Sequence, residues 1–114
     1  MTFARLAVSL TVIATLVIGC ATGPGNVDPK DLTASERAVR VYLVGEKPDC
    51  QHDQLGTVEA TSGTAFELGS YASSIAKMQR QAAAMGASGV VVLDHHKNQM
   101  ADQTTGMAIR CRAN

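Results

Sequence analysis

A 13-residue apolar run, Leu6 to Ile18, closed by Gly19-Cys20, limits what the rest of this chain can be. A helix that crosses a bilayer needs about 20 apolar residues, so the run is too short to span one. Behind Met1-Thr2-Phe3-Ala4-Arg5 and its single positive charge, it has the n-region and h-region of a secretory signal peptide. The folding unit then lies C-terminal to this run. Loss of residues 1–19 leaves 95 of the 114 residues and removes Arg5, so nine Lys/Arg face ten Asp/Glu. That length predicts one small domain. A domain of this size buries only about two thirds of its unfolded surface, so a crosslink would help it. Near-neutral charge argues against nucleic-acid binding and against a polybasic membrane patch. With no Trp, two Phe and two Tyr, the core must be aliphatic.

Val17-Ile18-Gly19-Cys20 resembles the lipobox of bacterial lipoproteins at all four positions. The resemblance implies acylation of Cys20, cleavage before it, and a mature chain that begins there. Two or more acyl chains at one residue suffice for stable anchoring. Ala21, where an Asp would signal inner-membrane retention, points to the outer membrane of a Gram-negative bacterium, with the domain in the periplasm. The alternative is an ordinary signal peptide with an incidental cysteine.

Residues 20–38 carry Gly, Pro, Asn and Asp without an apolar period and read as a tether, with Thr33 or Ser35 able to cap one helical turn. Residues 39–114 read as a single α+β domain. Val39 to Val44 alternates as a strand. After a turn and Cys50, Gln54 to Thr61 is a second strand, whose Gly56 marks a bulge or a close approach. Residues 62–70 are polar, with Phe66 and Leu68 as apolar pins. Tyr71 to Met85 is the one long helix. Ser70 is its N-cap and Gly86 its terminator; Tyr71, Ile75, Met78, Ala82 and Met85 share a face, and Lys77 lies away from it. Val90 to Leu93 is a central or doubly covered strand. Asp94 to Thr105 is a mobile loop or hairpin arm. Gly106 to Arg112 is the last strand, with Met107, Ile109 and Cys111 inward. Arg110 and Arg112 form a basic stripe, the solvated side of an edge strand or a partner surface. The order β-β-α-β-β places one helix on a small sheet of about four strands.

Cys50 and Cys111 remain once Cys20 carries lipid, an even pair in an oxidising compartment. A bond between them would close a loop of about 60 residues and contribute roughly 4 kcal/mol. The competing reading is two free thiols.

Several pieces together resemble a known group. They are the lipobox, Cys50 before Leu55-Gly56-Thr57-Val58, the alanine-rich stretch Ala82 to Ala87, the run Val90 to Val92, and Gly106-Met107-Ala108-Ile109-Arg110-Cys111. The set is similar to a family of small Gram-negative envelope lipoproteins of unassigned function. That family is similar in its folded part to the Rcs stress-sensing outer-membrane lipoprotein. The resemblance covers about residues 39–112. It implies one helix against a small sheet and a disulfide at the positions of Cys50 and Cys111. It does not extend to the sensor role, because only one cysteine pair is present and residues 21–38 lack a long proline- and lysine-rich linker.

Catalytic patterns are weak. Ser74-Ile75-Ala76-Lys77 matches Ser-x-x-Lys, but that chemistry needs a cleft and further motifs in a far longer chain. No glycine-rich phosphate loop precedes a helix, no carboxylate pair is spaced for acid–base work, and no cofactor is expected. His52, His95 and His96, with nearby methionines, are candidates for copper or zinc. However, adjacent histidines on a strand point opposite ways. The sequence therefore leads to a non-catalytic, lipid-anchored interaction or sensor-like module with an envelope protein partner. The alternative is a periplasmic copper- or zinc-binding protein.

Overall fold

The computed structural model describes residues 25–64 and 68–113. Among these residues four strands form one mixed sheet, crossed on one face by the one long helix described. This is the expected α+β order β-β-α-β-β. Strands β1 (Arg40–Tyr42), β2 (His52–Ser62), β3 (Gly89–Lys97) and β4 (Asp102–Cys111) lie in the order β1-β3-β4-β2. β1 runs parallel to β3, and the other two pairs are antiparallel. The valine run is interior, as its composition predicts. Val90 and Val92 are buried in the core with Met78 and Ala82 of the helix, Val90 between β1 and β4 and Val92 just past the end of β1.

Two short elements precede the sheet. Of the two caps the sequence offered, Thr33 and Ser35, it is Thr33 that caps α1 (Ala34–Arg37), and it does so through a capping box with Glu36 that the sequence reading did not identify. Residues 25–38, read as tether, nevertheless carry structure and tertiary contacts. Leu32 is buried, Arg80 pairs with Glu36 at 3.2 Å, and the Val27 amide donates to Ser73 Oγ at 2.6 Å.

Helix α2 (Tyr71–Ala84) starts at Ser70, whose hydroxyl accepts from the Ser73 amide, and gives way to Gly86 at φ +76°. Both ends match the sequence reading. The buried face is wider than expected. Met78 and Ala82 are in the core, but Ser73, Ser74, Ala76 and Lys77 are buried as well, while Met85 is exposed. Lys77 therefore corrects the helical-face assignment. The helix lies over edge strand β2, and Lys77 Nζ reaches the Thr61 carbonyl at 2.6 Å. One turn on, Gln81 Nε2 reaches the Glu59 carbonyl at 2.6 Å. Side chains four apart on a helix and carbonyls two apart on a strand have nearly the same spacing, about 6 Å. Such cover blunts an edge that would otherwise pair with another chain. Burial pulls the Lys77 ammonium below its ordinary pKa.

The face of β4 that meets α2 is the small and polar one. Ala108 belongs to the core with Val58, Ala60, Met78, Ala82, Val90 and Val92. A side chain at Gly106 would put its Cβ 2.9 Å from Met78 Cε. Ile109 is buried on the opposite face, beside Gly89 and Tyr42. Of the residues expected inward, Ile109 is indeed buried, but on the face away from α2, and it is Gly106 and Ala108 that meet the helix. An alanine-rich helix approaches closely, and only small residues beneath it leave room for Met78. β4 is also an interior strand, not an edge.

Two bulges shape the sheet. The register slips between Gln54 and Gly56, where the sequence placed a weak point, and again between Val92 and Asp94. The segment 94–105 is the hairpin arm, with β3 extending to Lys97 and β4 starting at Asp102. Asn98 Oδ1 closes the turn by accepting from the amides of Met100 and Ala101. Leu68, expected as a pin, is 66% exposed. Phe66, Cys20 and the signal segment lie outside the described residues.

Candidate functional site

Two clusters occupy opposite ends of the sheet. At the first end Cys50 and Cys111 are bonded, with Cα atoms 5.7 Å apart and a sequence separation of 61. β2 returns alongside β4 so that His52 sits opposite Cys111. The Arg112 amide donates to the Gln51 carbonyl at 2.7 Å. The loop between β1 and β2 is tied over the outer face. Tyr42 is buried and its hydroxyl donates to Asp49 Oδ1 at 3.0 Å, while Arg40 Nη1 meets Asp49 Oδ2 at 2.9 Å. Burial, reinforced by the Asp49 contact, pushes the Tyr42 hydroxyl pKa up.

The basic stripe is engaged at the same end. Arg110 Nε donates to the Gly86 carbonyl at 3.1 Å, satisfying the end of α2, and Arg112 pairs with Asp53 at 2.5 Å.

Three carboxylates here and on α1 sit below their ordinary pKa values. Glu36 does so chiefly through the Thr33 amide, Asp49 through the Tyr42 hydroxyl, and Asp53 through the Arg112 guanidinium. The native state then holds fewer protons than the unfolded chain as pH falls through 4.5 and 3.8, the ordinary values. Their stabilisation is fully present above this range and is lost as pH drops through the depressed native values. Urea unfolding midpoints should therefore fall between pH 6 and pH 3, and a flat profile would contradict this coupling.

At the second end Asp102 is fully buried, its Oδ2 2.5 Å from His95 Nε2 and its Oδ1 3.3 Å from Thr104 Oγ1. The Tyr71 ring covers His95 at a centroid distance of 4.0 Å. Ser62 Oγ donates to the Ser70 carbonyl at 2.8 Å and accepts from the Ser70 amide at 2.9 Å. The hydroxyls of Ser62 and Ser74 lie 3.1 Å apart, and Ser74 also reaches the Asp102 carbonyl at 3.1 Å. Among the described residues, no buried side-chain nitrogen or oxygen lacks a partner. The network therefore fixes the start of α2 to the turn end of the β3–β4 hairpin.

Removing His95 leaves the buried Asp102 carboxyl with Thr104 as its side-chain partner among the described residues. Breaking a fully buried pair costs about 3–5 kcal/mol, and partial exposure of the imidazole brings the expected loss for His95→Ala to about 2 kcal/mol. His95→Gln retains a donor and should lose less. Equal unfolding free energies for wild type and His95→Ala would contradict the assignment.

The sequence-derived candidates fare differently. Ser74 is fully buried and bonded to structural partners, and Lys77 Nζ is turned to Thr61, so the Ser-x-x-Lys match serves packing. His52, opposite Cys111, has Nδ1 3.1 Å from the Cys50 carbonyl oxygen. His95 is opposite Thr104, and His96 is opposite Gln103, with Nε2 2.7 Å from Asp94 Oδ2. Seven steps along β4 separate Cys111 from Thr104, about 23 Å. The three histidines do not share a site. Among the described residues no group of three His, Cys, Asp or Glu is placed to hold a metal ion. Also among them, no helix is long and apolar enough to cross a membrane.

Sequence reasoning missed Asp102, Thr104 and Tyr42. The signal for the first two was the period-two series Asp102, Thr104, Gly106, Ala108, which extends the last strand backward along its small-residue face. No protein-family model matches the chain, and no curated protein or solved structure resembles it significantly.

Proposed function

We propose that this chain is a lipid-anchored, non-catalytic interaction module of the Gram-negative cell envelope. In this reading Cys20 holds it at the outer membrane and the domain faces the periplasm. The division of the three cysteines carries the proposal. Cys50 and Cys111 are bonded to each other, which leaves Cys20, directly behind the lipobox pattern, as the odd one. A structural disulfide also suits an oxidising compartment. The motif resemblance drawn from the sequence, Cys50 before Leu55-Gly56-Thr57-Val58 and the closing Gly106 to Cys111, is consistent with the same reading. The structural use of Ser74 and Lys77 supports a role without catalysis, and the separation of His52, His95 and His96 gives the copper or zinc alternative no support.

A protein partner has an apolar corner to use. Leu43, Val44 and Leu93 are 43%, 59% and 53% exposed, just beyond the last paired residues of β1 and β3. β3 continues past β1 to Lys97, so its backbone edge there has no neighbouring strand of this sheet. Photo-crosslinkers placed at 43, 44 and 93 in intact cells test the reading. A discrete adduct with one envelope protein, lost when Leu93→Lys is added, is expected. No adduct from membrane-located protein would contradict it.

A further inference from the structure

We infer that the end of the domain carrying Leu68 and Met100 rests on the lipid bilayer, with these two side chains at the headgroup–acyl boundary. The inference builds on the proposed lipid at Cys20.

Three observations place this end nearest the membrane. The first is where the described chain begins. Asn26 is bonded to this end twice, its Nδ2 donating to the Leu68 carbonyl at 2.9 Å and its Oδ1 accepting from the Gly63 amide at 3.0 Å. Val27 continues onto Ser73. Six Cα–Cα steps lead from Cys20 to Asn26, a reach of about 20 Å at full extension. The disulfide end lies a further ten-residue strand away, about 30 Å along β4. A lipid on so short a leash presents the Leu68 end to the surface and the Cys50–Cys111 end to the compartment.

The second observation is exposure. Leu68 and Met100 are 66% and 45% exposed, and the Gly69 amide donates to the Met100 carbonyl at 3.0 Å, which brings the two segments together. An apolar pair in water at the end nearest the anchor gains by meeting acyl chains. The third is the neutral turn. Asn98-Gln99-Met100-Ala101 carries no charge, and Glu67 and the exposed Lys97 flank the two apolar residues in sequence, so the contact proposed for Leu68 and Met100 is itself apolar and is expected to persist in salt.

The occupant is a phospholipid surface. The chain contains no tryptophan, so one introduced indole reports alone. Leu68→Trp, Met100→Trp and Ala84→Trp would be made in the full lipidated protein and reconstituted into vesicles of acyl-brominated phosphatidylcholine. Ala84 is exposed near the far end of α2. Thermal melts check that each variant is folded. The expected result is loss of most emission at 68 and 100, unchanged by salt, with Ala84→Trp unquenched. Intact mass showing lipid at Cys20, with no quenching at 68 or 100, overturns this orientation and leaves the anchor standing. Quenching at 84 alone reverses the orientation and overturns it too. An unmodified Cys20 removes the leash, and both readings fall together.

Discussion

Reducing the Cys50–Cys111 bond should lower the melting temperature of the protein by about 20 °C. The bond closes a loop of 61 positions, and removing that constraint from the unfolded chain is worth roughly 4 kcal/mol. Small domains are stable by only about 5–10 kcal/mol, and each kcal/mol moves the midpoint by about 4–8 °C at this size. The native structure shows what loosens. The bond fixes the loop that holds Asp49 over Tyr42, and Tyr42 and Ile109 fill the outer face at that end. A Cys50→Ser variant should melt low from the outset and be indifferent to reductant. Matching melts of wild type with and without reductant would show that the bond contributes nothing to the fold.

Replacing Cys20 by Ser should abolish outer-membrane association almost completely. A hydroxyl cannot take the thioether-linked diacylglycerol that the lipobox resemblance implies, and cleavage before residue 20 depends on that lipid. The variant should retain residues 1–19 and appear as unprocessed precursor, outside the outer-membrane fraction. Two or more acyl chains give stable anchoring where one gives only marginal binding, so the difference is close to all or none. A variant with wild-type mass and wild-type fractionation would contradict the anchor.

Local signals made the elements legible in the sequence. Ser70 and Gly86 bounded α2, Gly56 marked the bulge in β2, the valine run named an interior strand, and Thr33 was one of two caps offered for the turn that became α1. What failed was the assumption that the most apolar face of each element is the one covered by its largest neighbour. β4 turns Gly106 and Ala108 to the helix because Met78 needs the room, and leaves Ile109 to Tyr42 on the far side. Lys77 was misread for a related reason. A long aliphatic stem at a sheet edge buries itself while its ammonium finds a carbonyl, and helical periodicity carries no information about where the edge lies. The Asp102–His95 pair was hidden because a polar stretch reads as loop unless its period-two pattern is followed. The expected histidine site failed on register, since His52 and His95 lie at opposite ends of β4.

The central claim is that acyl chains on Cys20 hold a disulfide-braced domain at the envelope. Intact-mass analysis of protein extracted from the membrane fraction tests it most directly. The account predicts a chain beginning at Cys20 that carries the added mass of a diacylglyceryl group and an amide-linked acyl chain, with Cys50 and Cys111 two hydrogens lighter than free thiols. A chain that begins at Met1, or at an unmodified Cys20, would contradict it.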